Sequence, residues 1–344
     1  MSIFEIDPDI RKAKTLASDF YTDERYFELS REKIFVPSWQ FLGHASDFSG
    51  LKPVTILPGF LDEPVLLVKT GQDVACLSNV CTHRGKILVE EPCEANLIRC
   101  GYHGRRFSLD GKFLSMPEFE GVENFPCESD DLHRLELADR DGFLFASIDP
   151  VADFDSFTHD KLFSFPGMDL GTLRLRSTRE YEVNAHWALY CENYLEGFHI
   201  PYVHQSLNAI VDYGSYTTEA FRYASVQTAL SASETNPSTE VAARYLFIFP
   251  NLMFNFYPWG ISVNIVRPVT LEKTVVEFLT YVGDESLMEK GAGADLHGVE
   301  MEDEAVVESV QKGIRSRFYS HGRYSPTREQ ATHHFHRLIA EFMS

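Results

Sequence analysis

The spacing of hydrophobic and polar positions changes along the chain. Residues 9–35 carry apolar side chains at helix-like intervals among charged ones. From Trp39 to Pro150 short apolar stretches such as PVLLVKTG and GFLFASIDP alternate with Gly, Pro and Asp. Such a texture is typical of a small antiparallel β domain. The pattern therefore predicts a helical lead-in over residues 1–37 and a β domain over residues 38–150.

The second half, residues 151–344, has a different pattern. Residues 151–170 are mixed in character and predict a linker or a short helix. The stretches ARYLFIFPN and LMFNFYPWGISVNIVRPV are aromatic and partly alternating, which predicts a large antiparallel sheet. Helical spacing returns from about Glu300. The expected fold class is α+β.

A segment between these parts combines a helical pattern with chemically active side chains. With 3.6 residues per turn, Glu192, Glu196 and His199 fall on one helix face. The other face carries apolar side chains: Trp187, Cys191, Tyr194 and Phe198. Pro201 disfavours helix for the residue before it, so the helix is expected to end near His199, with His204 folding back. Two imidazoles beside carboxylates suit a divalent transition metal such as iron.

Composition and charge narrow the function classes. The net charge of −20, from 31 basic and 51 acidic residues among 344, argues against nucleic-acid binding and mildly against an anionic membrane surface. No run approaches the roughly 20 apolar residues of a membrane span, and the first residues lack the apolar segment of a signal peptide. A cytoplasmic protein is expected. Six cysteines in such a chain favour metal ligation or buried thiols over disulfides.

Two Cys-plus-His pairs lie in the predicted β domain. They are Cys81-Thr-His83 and Cys100-Gly-Tyr-His103. A Cys2His2 zinc site is one interpretation. Zinc fingers usually place both cysteines in one pair, however, whereas each pair here is mixed. Mixed pairs fit a Rieske [2Fe–2S] cluster, in which one iron takes both cysteines and the other both histidines.

Together with Glu196-x-x-His199-x-x-x-x-His204, these pairs resemble the α subunit of the Rieske non-haem iron oxygenases, the ring-hydroxylating dioxygenase superfamily. The resemblance covers nearly the whole chain. It implies a small all-β Rieske domain at 38–150 and a mononuclear iron catalytic domain at 151–344. The latter is expected to have a helix-grip fold, an antiparallel sheet around a long helix.

The resemblance also implies the iron ligands. His199 and His204 match the two histidines, and an aspartate at the start of a late helix, with a polar residue five positions on, completes the set. Asp303 with Glu308 fits that spacing. The residues alone leave other acidic candidates open in the same stretch: Glu302 and Glu304.

Two further residues receive roles from the resemblance. Glu196 matches an acidic residue that bridges an iron histidine, here His199, to a cluster histidine, here His103, of a neighbouring subunit. Most relatives have Asp there, and Glu is found in the branch that acts on quaternary ammonium compounds. Asn193 matches a residue near the iron, with a surface or capping amide as the alternative.

The implied activity is O2-dependent oxygenation of a small organic substrate. Electrons would come from NAD(P)H through a separate flavin or ferredoxin-type reductase, and the subunits would form a homotrimer. The chain looks most like the choline monooxygenase and carnitine oxygenase branch, so hydroxylation or demethylation of a quaternary ammonium compound is expected. Alternatives are an arene or aromatic acid as substrate, and a non-catalytic electron-transfer protein. Aromatic residues weighed for a cation–π cage are Tyr202, Tyr213, Phe254, Phe256, Tyr257 and Trp259.

Overall fold

The fold is described from a computed structural model. It describes residues 4–158, 161–231, 241–288 and 290–344. The chain divides into two compact units. One is Trp39–Pro150, and the other joins the residues up to Ser38 with Val151–Ser344.

The Trp39–Pro150 unit is built from two antiparallel sheets. The strands of the larger sheet are β1 Gln40–His44, β2 Leu51–Ile56, β3 Glu63–Thr70, β4 Asp73–Ser78, β8 Arg134–Arg140 and β9 Phe143–Ser147. Their order is β1-β9-β8-β4-β3-β2. The smaller sheet contains β5 Ile98–Arg99, β6 Arg106–Phe107 and β7 Phe113–Ser115.

An apolar core links these sheets to the predicted cluster loops. Leu66 of β3 and Leu77 of β4 are fully buried, and Phe107 of β6 packs in the same cluster. Cys81 and Cys100 belong to that core. Truncating a buried leucine of this kind to alanine costs about 2–5 kcal/mol. The loops that carry the two cysteines are thus fixed by packing that extends across the unit.

The second unit contains a seven-stranded antiparallel sheet. Its strands are β10 Arg174–Val183, β11 Thr217–Ala220, β12 Ala224–Leu230, β13 Val241–Ile248, β14 Leu252–Tyr257, β15 Gly260–Thr270 and β16 Lys273–Val282. The order is β10-β16-β15-β14-β13-β12-β11. Strands β11 to β16 therefore form a meander, and β10 is the edge strand beside β16. The predicted α+β class is confirmed.

Helices flank this sheet. They are α1 Asp19–Thr22, α2 Glu24–Ser30, a π-helical turn Arg31–Phe35, α3 Phe154–Phe157, α4 Trp187–Tyr194, α5 Ile200–Val203, α6 Gln205–Asn208, α7 Leu296–Gly313 and α8 Gln330–Phe342. Helix α4 contacts both strand β15 and helix α7. The N-terminal helices belong to this unit because the rings of Phe20, Phe27 and Phe35 pack edge-on against His186 or Trp187 at the start of α4.

Helix α4 ends earlier than its apolar spacing predicts. It stops at Tyr194, so Glu196 and His199 lie on the segment that follows it. The Glu196 carboxylate accepts hydrogen bonds from the backbone N–H groups of Phe198 and His199, which replaces the carbonyls that a continuing helix would supply. Pro201 then starts helix α5 instead of ending α4. Local side-chain hydrogen bonding, which the periodicity does not reveal, overrides the helical pattern.

In the part of the chain that the structure describes, no helix has the length and apolar character needed to cross a membrane.

Candidate functional site

Two loops of the β unit have the same closing hydrogen bonds. In each of the loops 81–86 and 100–105, the N–H of the first residue donates to the carbonyl of the last (both 2.8 Å). The carbonyl of that first residue accepts from the N–H of Gly85 (2.9 Å) or Gly104 (3.1 Å). Both glycines have left-handed φ angles, 70° and 74°, a backbone conformation that residues with a Cβ atom rarely adopt. The two Cys-plus-His motifs therefore form twin turns.

The twin turns bring the four predicted cluster residues together in pairs. The thiols of Cys81 and Cys100, each 2% exposed, interact directly. The rings of His83 and His103 lie 4.8 Å apart between centroids. Burial acts to raise the pKa of Cys100, but N–H groups of Tyr102 and His103 and the Cys81 thiol outweigh it, so the pKa lies below its ordinary value.

This donor set fits a [2Fe–2S] cluster. The Nδ1 atom of His103 is buried and has no hydrogen-bond partner among the described residues. A buried ring nitrogen without a partner is costly unless a ligand takes its lone pair. Two buried thiols and two half-buried imidazoles are the ligands that such a cluster requires.

A buried arginine supports the cluster loops, and sequence reasoning missed it. Arg105 is 2% exposed, lies over the rings of Phe113 and Phe125, and forms a 2.6 Å ion pair with Asp130. The carbonyl of Asp130 also accepts a hydrogen bond from Thr82 in the other loop (2.9 Å). Asp130 therefore ties the two loops to each other.

In the second unit, three side chains converge on one point. His199 Nε2 lies 3.1 Å from His204 Nε2, and Asp303 Oδ1 lies 3.0 Å from His204 Nε2 and 3.5 Å from His199 Nε2. Around a metal ion with bonds of about 2.1 Å, adjacent ligands at right angles stand about 3.0 Å apart. The three atoms are therefore spaced like one face of a metal's coordination shell.

The hydrogen bonds behind the two imidazoles set which nitrogen faces that point. Nδ1 of His199 donates to Glu196 Oε1, and Nδ1 of His204 donates to Glu302 Oε2, each at 2.7 Å. An ionised carboxylate only accepts, so each Nδ1 carries a proton, and either ring in its neutral form has its lone pair on Nε2. Two lone pairs and a carboxylate oxygen facing each other need a cation between them. Two histidines and one carboxylate suit a non-haem Fe(II) with open positions.

Further contacts join helix α7 to the α4 region. Asn193 Nδ2 donates to Asp303 Oδ1 (2.6 Å), and the Tyr190 hydroxyl donates to Glu300 Oε2 (2.6 Å). Glu308 accepts from the backbone and side-chain amides of Asn184 (3.0 and 2.7 Å). The three acceptors are three and five residues apart along α7 and lie on one side of it, so these pairs fix its rotation and aim Asp303 at the histidines. Asp303 lies in the middle of α7, whereas the resemblance placed it at a helix start.

A cleft with a volume of about 110 Å³ adjoins the three converging side chains. Aromatic side chains that line it are Tyr190, Tyr194, Tyr216, Tyr245, Tyr257 and Phe278. Its polar lining includes Asn255, Ser262, Asn264 and Glu300.

The aromatic residues that line the cleft differ from those weighed from the sequence for a cation–π cage. Of the aromatic residues weighed from the sequence, Tyr257 lines the cleft and the other five do not. Phe254, Phe256 and Trp259 are buried in the core, and Tyr202 is 79% exposed. The cleft's other tyrosines were missed because they come from separate elements. A usable signal was the polar alternation in strands β14 and β15, where Asn255, Ser262 and Asn264 interrupt apolar runs.

Burial perturbs one carboxyl in the cleft. The pKa of Glu300 is raised to about 8, mainly by burial and also by the nearby charges of Asp303 and Glu304, against the hydrogen bond from Tyr190. At His204 burial acts to lower the pKa, but hydrogen bonds with Asp303 and Glu302 outweigh it and raise the pKa.

Glu192 and His336 form a structural network away from the cleft. Glu192 accepts from the Tyr21 hydroxyl (2.6 Å) and lies 3.1 Å from His336 Nε2, while Nδ1 of that ring contacts the Tyr324 hydroxyl (2.5 Å). This network fastens α8 and the N-terminal helices to the back of α4.

The sequence also matches known families and proteins. The ring hydroxylating α subunit (catalytic domain) matches residues 170–344, and the Rieske [2Fe-2S] domain matches residues 38–126. The chloroplastic choline monooxygenase of Arabidopsis thaliana is 29% identical over 363 residues, which is 98% of this chain and 85% of that protein. The carnitine monooxygenase oxygenase subunit of Escherichia coli is 28% identical, over 96% of this chain and 94% of that protein.

Solved structures agree with this match. The quaternary ammonium Rieske monooxygenase CntA, in complex with an inhibitor, aligns with a TM-score of 0.81 and 25% identity over 99% of both chains. Naphthalene 1,2-dioxygenase with bound indole aligns with a TM-score of 0.74 over 96% of this chain and 92% of that one, and at 17% identity it shows the fold alone. The chain therefore belongs to the ring-hydroxylating oxygenase α subunits, enzymes that combine a Rieske [2Fe–2S] domain with a mononuclear iron catalytic domain and use O2 with electrons from a separate donor.

Proposed function

We propose that this chain is the terminal oxygenase for a small quaternary ammonium compound of the choline or carnitine kind, which it hydroxylates or demethylates. The observation that carries the proposal is the tyrosine-lined cleft beside His199, His204 and Asp303. The relatives include choline and carnitine monooxygenases, and CntA has been crystallised with the substrate L-carnitine. These relatives are matched over most of their length.

The cleft suits a cation that cannot donate hydrogen bonds. A trimethylammonium group is held by the faces of aromatic rings, each worth about 0.5–2 kcal/mol. The rings of Tyr194 and Tyr257 lie 6.3 Å and 6.2 Å from that of Tyr245 between centroids, so several rings line one small space. The amide and hydroxyl groups of Asn255, Ser262 and Asn264 are available for the hydroxyl or carboxylate end of the molecule.

The lining disfavours the alternative of an aromatic acid. Among the described residues that line the cleft there is no lysine or arginine. A buried carboxylate without a cationic partner or several hydrogen bonds is strongly disfavoured. The carboxylate of a zwitterion such as carnitine is offset by the molecule's own ammonium group, whereas an aromatic acid carries no such cation. An uncharged arene remains compatible with the apolar lining, and the substrate panel below includes one.

Each metal group has a proposed set of holders. His199, His204 and Asp303 hold the iron, and two Cys-plus-His pairs hold the cluster: Cys81, His83, Cys100 and His103. When bound, the cluster supplies single electrons and the iron supplies O2 activation at its open positions. The chain's own residues keep both Nε2 lone pairs in place through Glu196 and Glu302, orient Asp303 through Asn193, and line the cleft with apolar rings that exclude water.

We place the Rieske domain at 38–150 and the catalytic domain at 151–344, with residues 1–37 as a helical lead-in. We further propose a homotrimer in which Glu196 bridges His199 of one protomer and His103 of the next. Support comes from exposed aromatic side chains beside both residues. Phe198 and Tyr202 are 40% and 79% exposed near Glu196, and Tyr102, whose ring centroid lies 3.7 Å from that of His103, is 58% exposed. Exposed rings of this size favour burial against another surface.

The substrate class is tested by turnover. The holoenzyme, with a flavin or ferredoxin-type reductase and NAD(P)H, is supplied with choline, L-carnitine, γ-butyrobetaine, benzoate and naphthalene. O2 uptake and product formation are measured together, so that uncoupled reduction of O2 is not counted. Product from at least one quaternary ammonium compound and none from the arenes is expected. Product from benzoate or naphthalene alone would overturn the substrate class.

The bridge is tested by Glu196→Gln, which keeps the shape of the side chain and removes its charge. The variant should retain both metals, a reducible cluster and the trimer by sedimentation, yet show little coupled turnover. Turnover at the wild-type rate would show that Glu196 is not the bridge, and a monomer in the wild type would contradict the trimer.

A further inference from the structure

Glu300 is a buried carboxyl in the cleft that the iron site does not use. It lies on helix α7, one turn before Asp303, and is 4% exposed. Its Oε2 atom accepts the 2.6 Å hydrogen bond from Tyr190. Its Oε1 atom is buried and has no hydrogen-bond partner among the described residues. Carboxyls are rarely buried without a paired group.

No cationic side chain in the described part of the cleft forms an ion pair with this carboxyl. Its lining contains no lysine or arginine, and Glu300 takes part in none of the ion pairs described. Without a bound cation, burial raises the pKa of Glu300 to about 8. A cation placed in the cleft would relieve this cost.

We propose that Glu300 is the counter-ion of the substrate's cationic head group and sets the preference of the cleft for a cation over a neutral molecule of the same shape. This inference rests on the proposed function and names the residue that recognises the charge. The tyrosine rings alone would favour a cation weakly, whereas an unpaired buried carboxylate makes the charge decisive.

The position of Glu300 also places the head group. Residues three apart on a helix have Cβ atoms about 5–6 Å apart on the same face. A cation held at Glu300 therefore keeps its N-bound carbons next to Asp303 and its histidine partners. Tyr190 is the positioning residue in this arrangement, because its hydroxyl fixes one carboxyl oxygen and leaves the other free to face the ligand.

The test compares two ligands of one shape. Choline and its neutral isostere, in which carbon replaces the nitrogen, are titrated calorimetrically into the anaerobic holoenzyme, with L-carnitine and γ-butyrobetaine as further cations. Wild type should prefer choline to the isostere. Glu300→Gln keeps the shape and the acceptor for Tyr190 and should lose at least tenfold of that preference, with isostere binding unchanged. Glu300→Asp restores the charge and should recover part of it.

The matched control is Glu304→Gln, a carboxyl on the same helix that does not line the cleft. It should keep the wild-type preference. Circular dichroism and cluster absorbance check that each variant is folded. If Glu300→Gln does not fold, the ligand preference is measured in Glu300→Asp instead. An unchanged preference in Glu300→Gln, an equal loss for both ligands, or the same loss in Glu304→Gln would overturn the counter-ion alone. A wild type that binds none of the cations would overturn the proposed substrate class and the counter-ion with it.

Discussion

Removing either of the carboxylates that hydrogen-bond the two metal-facing imidazoles should weaken metal affinity, and by different amounts. Glu302 and Glu196 each accept a 2.7 Å hydrogen bond from Nδ1 of their histidine. Replacing either by alanine frees its imidazole to rotate and to carry its proton on Nε2, which can then no longer bind a metal. Removing such a partner typically weakens metal affinity 10–100-fold.

The solvent exposure of the two carboxylates predicts which substitution weakens metal affinity more. The side chain of Glu302 is 46% exposed, so water screens its interaction and partly replaces it, and Glu302→Ala should cost about 1.4 kcal/mol, or tenfold. The side chain of Glu196 is 16% exposed and also holds the N–H groups of Phe198 and His199. Glu196→Ala should therefore cost about 2.7 kcal/mol, or a hundredfold. Asp303→Ala removes a ligand atom and should lose more than either.

The assay uses protein stripped of mononuclear iron with its [2Fe–2S] cluster retained. Fe(II) is titrated anaerobically in competition with a chromophoric chelator. Glu304→Ala is the control, because its carboxyl bonds neither histidine. Wild-type affinity in Glu302→Ala, or an equal loss in the control, would refute the reasoning. A loss in Glu302→Ala as large as in Asp303→Ala would instead identify Glu302 as the third ligand, the alternative that the residues alone leave open.

Three predictions concern stability. Burial lowers the pKa of His186 to about 3 from its ordinary 6.5, so the folded protein holds this ring neutral. The resulting contribution to the free energy of unfolding is fully present above pH 6.5 and is lost as the pH falls toward 3. The loss amounts to about 2 kcal/mol at pH 5. Urea unfolding followed by tryptophan fluorescence should show that the free energy of unfolding falls less steeply with acid pH in His186→Asn than in wild type. His321→Asn, at an exposed site, should match wild type. The same pH dependence in all three proteins would contradict a buried neutral ring at His186. Gly104→Ala forces a side chain into a φ of 74° and should cost about 1–2 kcal/mol and loosen the cluster, measured by thermal unfolding and absorbance, whereas Gly101→Ala, whose added Cβ lies 3.8 Å from Lys86, should be tolerated. If Gly104→Ala were equally tolerated, the twin-turn geometry would not matter. Arg105→Met leaves Asp130 without its ion-pair partner and should lower the free energy of unfolding by about 3 kcal/mol. The exposed Arg106→Met should lower it by less than about 0.5 kcal/mol in the same thermal assay. Similar values for the two variants would show that the Arg105–Asp130 pair does not stabilise the fold.

Short-range spacing in the sequence was enough to propose most of the metal ligands. In the twin turns each cysteine and histidine are separated by one or two residues, and the glycine that closes the turn lies one or two positions after the histidine. His199 and His204 are five residues apart, with Pro201 at the start of a helix between them. Local backbone geometry alone brings such residues together. The antiparallel strands were likewise predictable from alternating apolar stretches.

Long-range contacts needed the tertiary structure. Asp303 lies far along the chain from His204, and only the rotation of α7 against α4, fixed by pairs such as Tyr190 with Glu300, shows that it faces the histidines. The sequence pattern extended α4 to His199, because it contains no information on the Glu196 carboxylate folding back onto backbone N–H groups. Residue identities and local spacing therefore determined the chemistry this chain carries. The cleft, its tyrosines and the buried Glu300 were decided by packing, because burial and convergence depend on elements that are distant in sequence.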